Sequence, residues 1–200
     1  MAASSDRARR KAPEDRRQDL LAVAVSCLAT LGPRGATGRE ICRQAGVSHG
    51  LLRHYFATPE ALFLSAYRDL CDRFLAAFEA RLADDGRTPQ SALDAFFEAQ
   101  FSPDWANTDI LGAWIAFWTL TRTDTAFAEV NDAYNRRLGA LLDQALRRLP
   151  SSALDPGEAA KILSATMDGL WLEVCLRPDA DKRAEAVALC RTTLRRLTST

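Results

Sequence analysis

Residues 39–56, REICRQAGVSHGLLRHYF, crowd hydrogen-bonding side chains into very little chain. Ser48, His49, Arg53, His54 and Tyr55 fall within two helical turns, directly after the run Ala45-Gly46-Val47-Ser48. Side chains of these types on one short helix can read base edges and phosphates in a major groove. The elements that would present them are legible around them. Ile41, Ala45, Val47 and Leu52 are apolar where two helices must pack, and Gly46 falls where a sharp turn needs a positive φ. Thr37 is placed to cap the first helix and Ser48 the second. That leaves Ser48, His49, Gly50, Arg53, His54 and Tyr55 outward or at the N-terminus of the second helix, where free N–H groups and the helix dipole favour phosphate. Gly50, which costs a helix interior roughly 1 kcal/mol, fits a backbone that approaches DNA closely. One ring of the pair Tyr55-Phe56 is expected to pack beneath the motif. A merely solvated polar corner would not explain the turn, the polar cluster and a basic surrounding segment together.

A second constellation lies further on. Trp114, Phe117 and Trp118 stand at i, i+3 and i+4, and MDGLWLE places Asp168, Trp171 and Leu172 at the same spacing on another helix. Gly169 is expected to permit close helix approach there. Asn131 and Tyr134 occupy the helix between. Convergence of Trp114, Trp118, Asn131, Tyr134, Asp168 and Trp171 would make a largely apolar cavity with one carboxylate and several aromatic faces, suited to an organic cation. The same spacing also describes core or a dimer interface, and the residues alone leave these readings open.

Catalysis finds little support. Both histidines, His49 and His54, belong to the polar helix, and no GxSxG, HExxH, P-loop or GxGxxG pattern occurs. Glu98, Asp109, Asp168 and Glu173 could furnish carboxylates, but nothing fixes their geometry. Cys27, Cys42, Cys71, Cys175 and Cys190 are scattered without CxxC spacing, which reads as buried thiols in a reducing compartment. No catalytic residue, cofactor or metal is assigned. A helical protein-interaction adaptor and an amine-acting enzyme remain the rival classes.

The 200 residues carry zero formal net charge, and 48% of them are apolar, enough for a substantial core. The charge is unevenly distributed. Ten Arg or Lys, Arg39 among them, stand against five acids in residues 1–55, so a net +5 there faces −5 in the remainder. A basic head on an acidic body is the asymmetry expected of a nucleic-acid-binding segment. The polar N-terminus lacks the apolar core of a secretory signal. No apolar run approaches the roughly 20 residues of a membrane span. A cytoplasmic protein is expected.

Apolar residues recur at three and four almost throughout, which predicts an all-α chain of about nine helices. Residues 1–13 read as a flexible basic arm. A helix follows from Asp15 to Leu31, broken by Gly32-Pro33. Gly38–Ala45 and a helix ending near Tyr55 form the motif, 37–56. A long connecting helix opens at Thr58-Pro59-Glu60 and runs to about Ala83. Further breaks fall at 84–89, 102–103, 122–125, 149–156 and 177–181. The last two helices, Pro156–Leu176 and Ala180–Leu197, carry Ile162, Leu163, Met167, Leu170, Leu172, Val174, Val187, Leu189, Leu194 and Leu197. That is more apolar surface than one chain is expected to cover.

Residues 14–74, above all ATGREICRQAGVSHGLLRHYFATPEAL, resemble the DNA-binding domain of TetR-family transcriptional repressors. The resemblance implies a three-helix head, a connecting fourth helix, and an effector-binding and dimerisation domain over 75–200. It implies that Thr37 contacts phosphate, that Arg39 lies on the DNA-binding surface, that Ser48, His49, Gly50, Arg53 and His54 face DNA, and that Tyr55 reaches phosphate. Pro59 stands where the family often has Lys, so one phosphate contact is expected to be missing. AWIAFW, NDAYNRRL and MDGLWLE resemble the C-terminal domain of BetI-type repressors, which respond to choline. That likeness implies a small-molecule effector, choline-like or another amine, release from a palindromic double-stranded operator, and a homodimer built on the last two helices.

Overall fold

The computed structural model describes residues 13–83, 86–150 and 154–199. These form nine α-helices and, among the described residues, no strand. The arm assigned to residues 1–13 lies outside the described residues, except that Pro13 already opens the first helix.

Local chemistry sets the boundaries. Helix α1 (Pro13–Gly35) begins with Glu14 and Asp15 in its first turn and is interrupted at Gly32, whose φ of 65° and ψ of 177° break the helical path just before Pro33. The threonine hydroxyl of Thr37 accepts the N–H of Glu40 at 3.3 Å and opens α2 (Gly38–Ala45). Gly46 ends α2 in the left-handed region at φ 63°, a conformation that strains any L side chain. Ser48 caps α3 (His49–Tyr55) through the N–H of Leu51 at 3.1 Å. Thr58 caps α4 (Pro59–Leu82), with Pro59 in its first turn. The same pairing of a capping threonine and a following proline opens α5 (Pro89–Gln100) at Thr88-Pro89. Asn107 caps α6 (Thr108–Thr121), Asp124 caps α7 (Thr125–Arg147), Asp155 caps α8 (Pro156–Leu176) and Asp179 caps α9 (Ala180–Thr198). The nine helices and their breaks match the expected pattern. The first helix starts two residues earlier than its periodicity indicates.

The head, α1 to α3, closes over Leu20, Leu21, Ala24, Leu28, Ile41, Leu52 and Phe56, all buried. Phe56 is the ring beneath the motif, and the Arg17 guanidinium lies 5.4 Å from its centroid. The α4 helix, about 36 Å long at 1.5 Å per residue, carries Leu62, Phe63, Ala66, Tyr67, Leu70, Phe74 and Phe78 into the interior. Buried side chains from Leu20 to Leu197 make one continuous apolar cluster. Head and body therefore share a core. All five cysteines lie in it as free thiols, and burial pushes Cys71, Cys175 and Cys190 up to about 12.

Head and body are joined by more than the connecting helix α4, because α1 packs along α6 more extensively than along α4. Two expectations change. Gly169 meets no neighbour within 4 Å; the close approach belongs to Gly112, where an added Cβ would stand 2.7 Å from the Ala29 carbonyl oxygen. Finally, the apolar set on α8 and α9 divides in two. Leu163, Met167, Val174, Val187, Leu194 and Leu197 are buried within the chain, whereas Ile162, Leu172 and Leu189 are about two-fifths exposed.

Gly112 yields a direct expectation. Gly112→Ala forces two helix backbones apart, and overpacking of this kind costs about 1–3 kcal/mol. Denaturant unfolding should show that loss; a variant as stable as the wild type would mean that α1 and α6 separate freely.

Candidate DNA-binding surface and internal cavity

On the head, Thr37, Arg39, Ser48, His49, Gly50, Arg53 and His54 are exposed, and Tyr55 is half-buried. Two short helices, each started by a hydroxyl cap, bring them to the surface. Their cores are pinned by Ile41 and Leu52, at 0% and 5% exposure. Gly50 has open space around it, with only the Ser48 hydroxyl 3.8 Å from a notional Cβ. Tyr55 packs partly against the core and sits edge-on to His54, with ring centroids 5.3 Å apart. Within the motif Arg43 is neutralised in place: it pairs with Glu40, which also accepts from Gln44 at 2.8 Å. Those hydrogen bonds, from Arg43 first, hold the Glu40 carboxyl down to about 2. Arg39 and Arg53 make no such pair among the described residues.

The six residues of the second constellation do converge. Trp114, Trp118, Asn131, Tyr134, Asp168 and Trp171 line one cavity of about 270 Å³, together with Phe74, Gln100 and Asn135. Ligand pockets for drug-sized molecules run to about 300–1,000 Å³, so this one suits a small metabolite. Trp114 is buried and meets Tyr134 at 5.3 Å, Phe74 at 5.6 Å and Trp118 at 6.0 Å between centroids. Trp118 is 41% exposed and forms the solvent side. Phe117 turns away, stacking on Tyr67 at 4.4 Å in the core.

The polar groups in the walls are largely committed. Trp171 donates its indole N–H to the Trp105 carbonyl at 3.0 Å, so it offers the cavity only its ring. Tyr67 donates to Asn131 Oδ1 at 3.0 Å, which ties α4 to α7 and leaves the Asn131 amide N–H groups for other partners. Asp168 is the single charged residue of the lining. It is exposed at the rim by surface area, yet protein atoms crowd its carboxyl and burial pushes its pKa up. Burial likewise raises the Tyr134 phenol, which stays protonated. One carboxylate among aromatic faces, with no lining cation, gives a negative site that favours a positive guest.

Phe74, Gln100 and Asn135 are wall residues beyond the six that helical spacing brings together. Gln100 carried a signal: it continues the face of Leu93, Phe96 and Phe97 at intervals of three and four, a polar residue at a core position. Phe74 carried none, being one of many apolar residues along α4.

A basic helix-turn-helix head joined to a helical body with an internal cavity defines a DNA-binding regulator with a ligand-sized site. Comparison with known proteins is specific. Residues 20–66 match the tetR family of bacterial regulatory proteins, and residues 89–199 match the C-terminal domain of BetI-type transcriptional repressors. This chain belongs to the TetR family of transcriptional regulators and within it to the BetI type. It is 33% identical over 175 residues to the HTH-type transcriptional regulator BetI of Serratia proteamaculans, covering 87% of this chain and 88% of that one. A transcriptional regulator from Pseudomonas aeruginosa PAO1 superposes with a TM-score of 0.83 at 34% identity, covering 92% of this chain and 91% of that one. A regulator from Saccharomonospora viridis, solved in complex with choline, shares the fold at a TM-score of 0.79 and 19% identity, covering 94% of this chain and all of that one. Among the described residues no helix is long and apolar enough to cross a membrane.

The raised pKa of Asp168 has a consequence for stability. The folded chain holds that proton more tightly than the unfolded chain, so stability falls as pH rises from the ordinary carboxylate range, about pH 4, through the folded value. Asp168→Asn removes this dependence and should leave the ligand-free protein at least as stable at pH 7. Denaturant melts across that range check it; a variant weaker than the wild type at pH 7 would show the carboxylate to be a structural support.

Proposed function

We propose that this regulator is a cytoplasmic, non-catalytic repressor that holds a palindromic operator as a homodimer and releases it when a choline-like or other small organic cation occupies the internal cavity. The observation that carries the ligand class is the cavity itself: five aromatic residues and one carboxylate, crowded at the rim, with no opposing positive charge in the lining. The choline complex of the Saccharomonospora viridis neighbour supports the same reading. The division into a head, 14–74, and an effector and dimerisation body, 75–200, agrees with the two family matches.

On DNA, Ser48, His49, Gly50, Arg53 and His54 meet the major groove, while Thr37, Arg39 and Tyr55 hold phosphates. The exposed Ile162, Leu172, Leu176 and Leu189 form the apolar centre of the dimer interface on α8 and α9. A twofold dimer then presents two recognition helices to half-sites about 34 Å apart, or a multiple of that. The cation acts through α6. Trp114 and Trp118 lie on the helix whose Gly112 bears on α1, and the Tyr67–Asn131 hydrogen bond gives α4 a second tie to the cavity. Because the effector and the operator favour different head spacings, each weakens the other by the same factor.

Operator binding by fluorescence anisotropy, on a duplex selected from a random pool, tests this. Arg53→Ala should lose about 1–3 kcal/mol of specific affinity with an unchanged melting temperature. Choline or a related amine should weaken the wild-type complex. An unaltered Arg53→Ala affinity would place the wrong helix face on DNA, and indifference to a broad panel of cations would remove the effector class while leaving the repressor. For the dimer, Leu172→Arg should give monomers by sedimentation at micromolar concentration with the fold intact. Leu194→Arg, at a position fully buried within the chain, should unfold it instead. A Leu172→Arg protein that stays dimeric would move the interface elsewhere.

A further inference from the structure

Arg39 and Arg43 are both exposed on α2, one helical turn apart and so on a common face. In the helix-turn-helix arrangement this helix crosses the phosphate backbone, which places both guanidiniums for phosphate. Their surroundings differ. Arg43 gives its Nε to Glu40 Oε2 at 2.9 Å and a terminal N–H to Glu40 Oε1, whereas Arg39 makes no such pair among the described residues. Both carboxylate oxygens are therefore taken, and Gln44 braces Oε1 with a further hydrogen bond at 2.8 Å. Glu40 stands in the first turn of α2, its backbone N–H bonded to the Thr37 hydroxyl, where the helix dipole favours an anion. Arg43 thus faces a two-point partner of matching geometry, fixed by its place at the start of the helix. An arginine so paired adds no net charge to the surface and has little to gain in displacing counterions from DNA.

We propose that Glu40 limits how strongly the head holds DNA by withholding Arg43 from the phosphate backbone. This rests on the DNA-facing surface assigned above and gives that surface an opposing residue. Phosphates are alike in every sequence, so a released Arg43 strengthens binding to the operator and to random DNA together, and the base contacts of α3 stay as they are. The face of α2 carries one working cation, Arg39, and one held in reserve, and an acid in the helix's own first turn decides between them.

Glu40→Gln removes the charge that holds Arg43 while keeping the size of the side chain and the Thr37 cap, which takes the main-chain N–H of residue 40. Fluorescence anisotropy of the full chain across a salt series, on the selected operator and on a random duplex of the same length, reads the effect. Glu40→Gln should bind both duplexes roughly threefold or more tightly at low salt, and log affinity should fall more steeply with log salt by about 0.9 for each subunit engaged. The double variant Glu40→Gln/Arg43→Gln should return to the wild-type affinity and slope, because a neutral pair then replaces a neutralised one. Glu40→Gln equal to the wild type in both affinity and slope overturns the proposal. A double variant that keeps the gain overturns it by assigning the effect to the lost carboxylate alone. A double variant weaker than the wild type overturns it by showing that Arg43 already holds phosphate. Arg39→Gln separates this proposal from the surface on which it rests: it should weaken binding to both duplexes, and an unchanged affinity would take α2 off the DNA and the proposal with it.

Discussion

At Gly112 the backbone of α6 lies against that of α1 so closely that even a methyl group would collide with the Ala29 main chain. Much of the remaining architecture depends on that contact. It seats the DNA-binding head on the body through backbone rather than through long side chains that could slide. Packed interiors resist continuous deformation, so a small displacement of α6 must be passed to α1 or absorbed by breaking the contact. Two residues beyond Gly112 stands Trp114, buried in the cavity wall, and one turn further stands Trp118. The helix that lines the cavity is thus the helix that the head rests on.

The cavity carries one carboxylate among its aromatic walls. Asp168 lies exposed at the rim, but the protein atoms crowding its carboxyl push its pKa up. Replacing it with a neutral residue would ease the folded state and abolish the attraction for a cation. The indole N–H of Trp171 is tied to the Trp105 carbonyl, which leaves its ring to line the cavity, and the Tyr67 hydroxyl holds Asn131 from the core behind the wall.

The two ends of the molecule use opposite strategies. On the head, short helices are fixed by caps and by a few buried aliphatic residues, and the polar side chains are left exposed to solvent, where water satisfies them. In the body, long helices are fixed by aromatic packing around Tyr67, Phe74 and Phe117, and few polar groups remain without partners. Arg43 illustrates the selection within the head. It is part of the basic segment by composition, yet its bond to Glu40 removes it from the charge available to phosphate.

Secondary structure and the helix-turn-helix were legible in the residues because their causes are local. Thr37, Ser48 and Thr58 cap within three residues, Gly46 alone answers the demand for a positive φ, and apolar periodicity marks each buried face. The six cavity residues were legible as a possibility, since spacing puts Trp114 with Trp118 and Asp168 with Trp171 on common faces. Whether those faces met was a matter of how α6, α7 and α8 cross, which no local interaction specifies. The same limit explains the misplaced close contact: Gly112 and Gly169 look alike in sequence, and only the packing of α1 shows which of them lacks room for a Cβ. It explains the last two helices as well, where Leu194 and Leu189 have similar local surroundings but one faces the chain's own core and the other faces out. Types, caps and periods were thus determined by neighbours along the chain, whereas cavities, close approaches and exposed faces were decided by helices far apart in it, because burial depends on what lies across from a residue and not on what lies beside it.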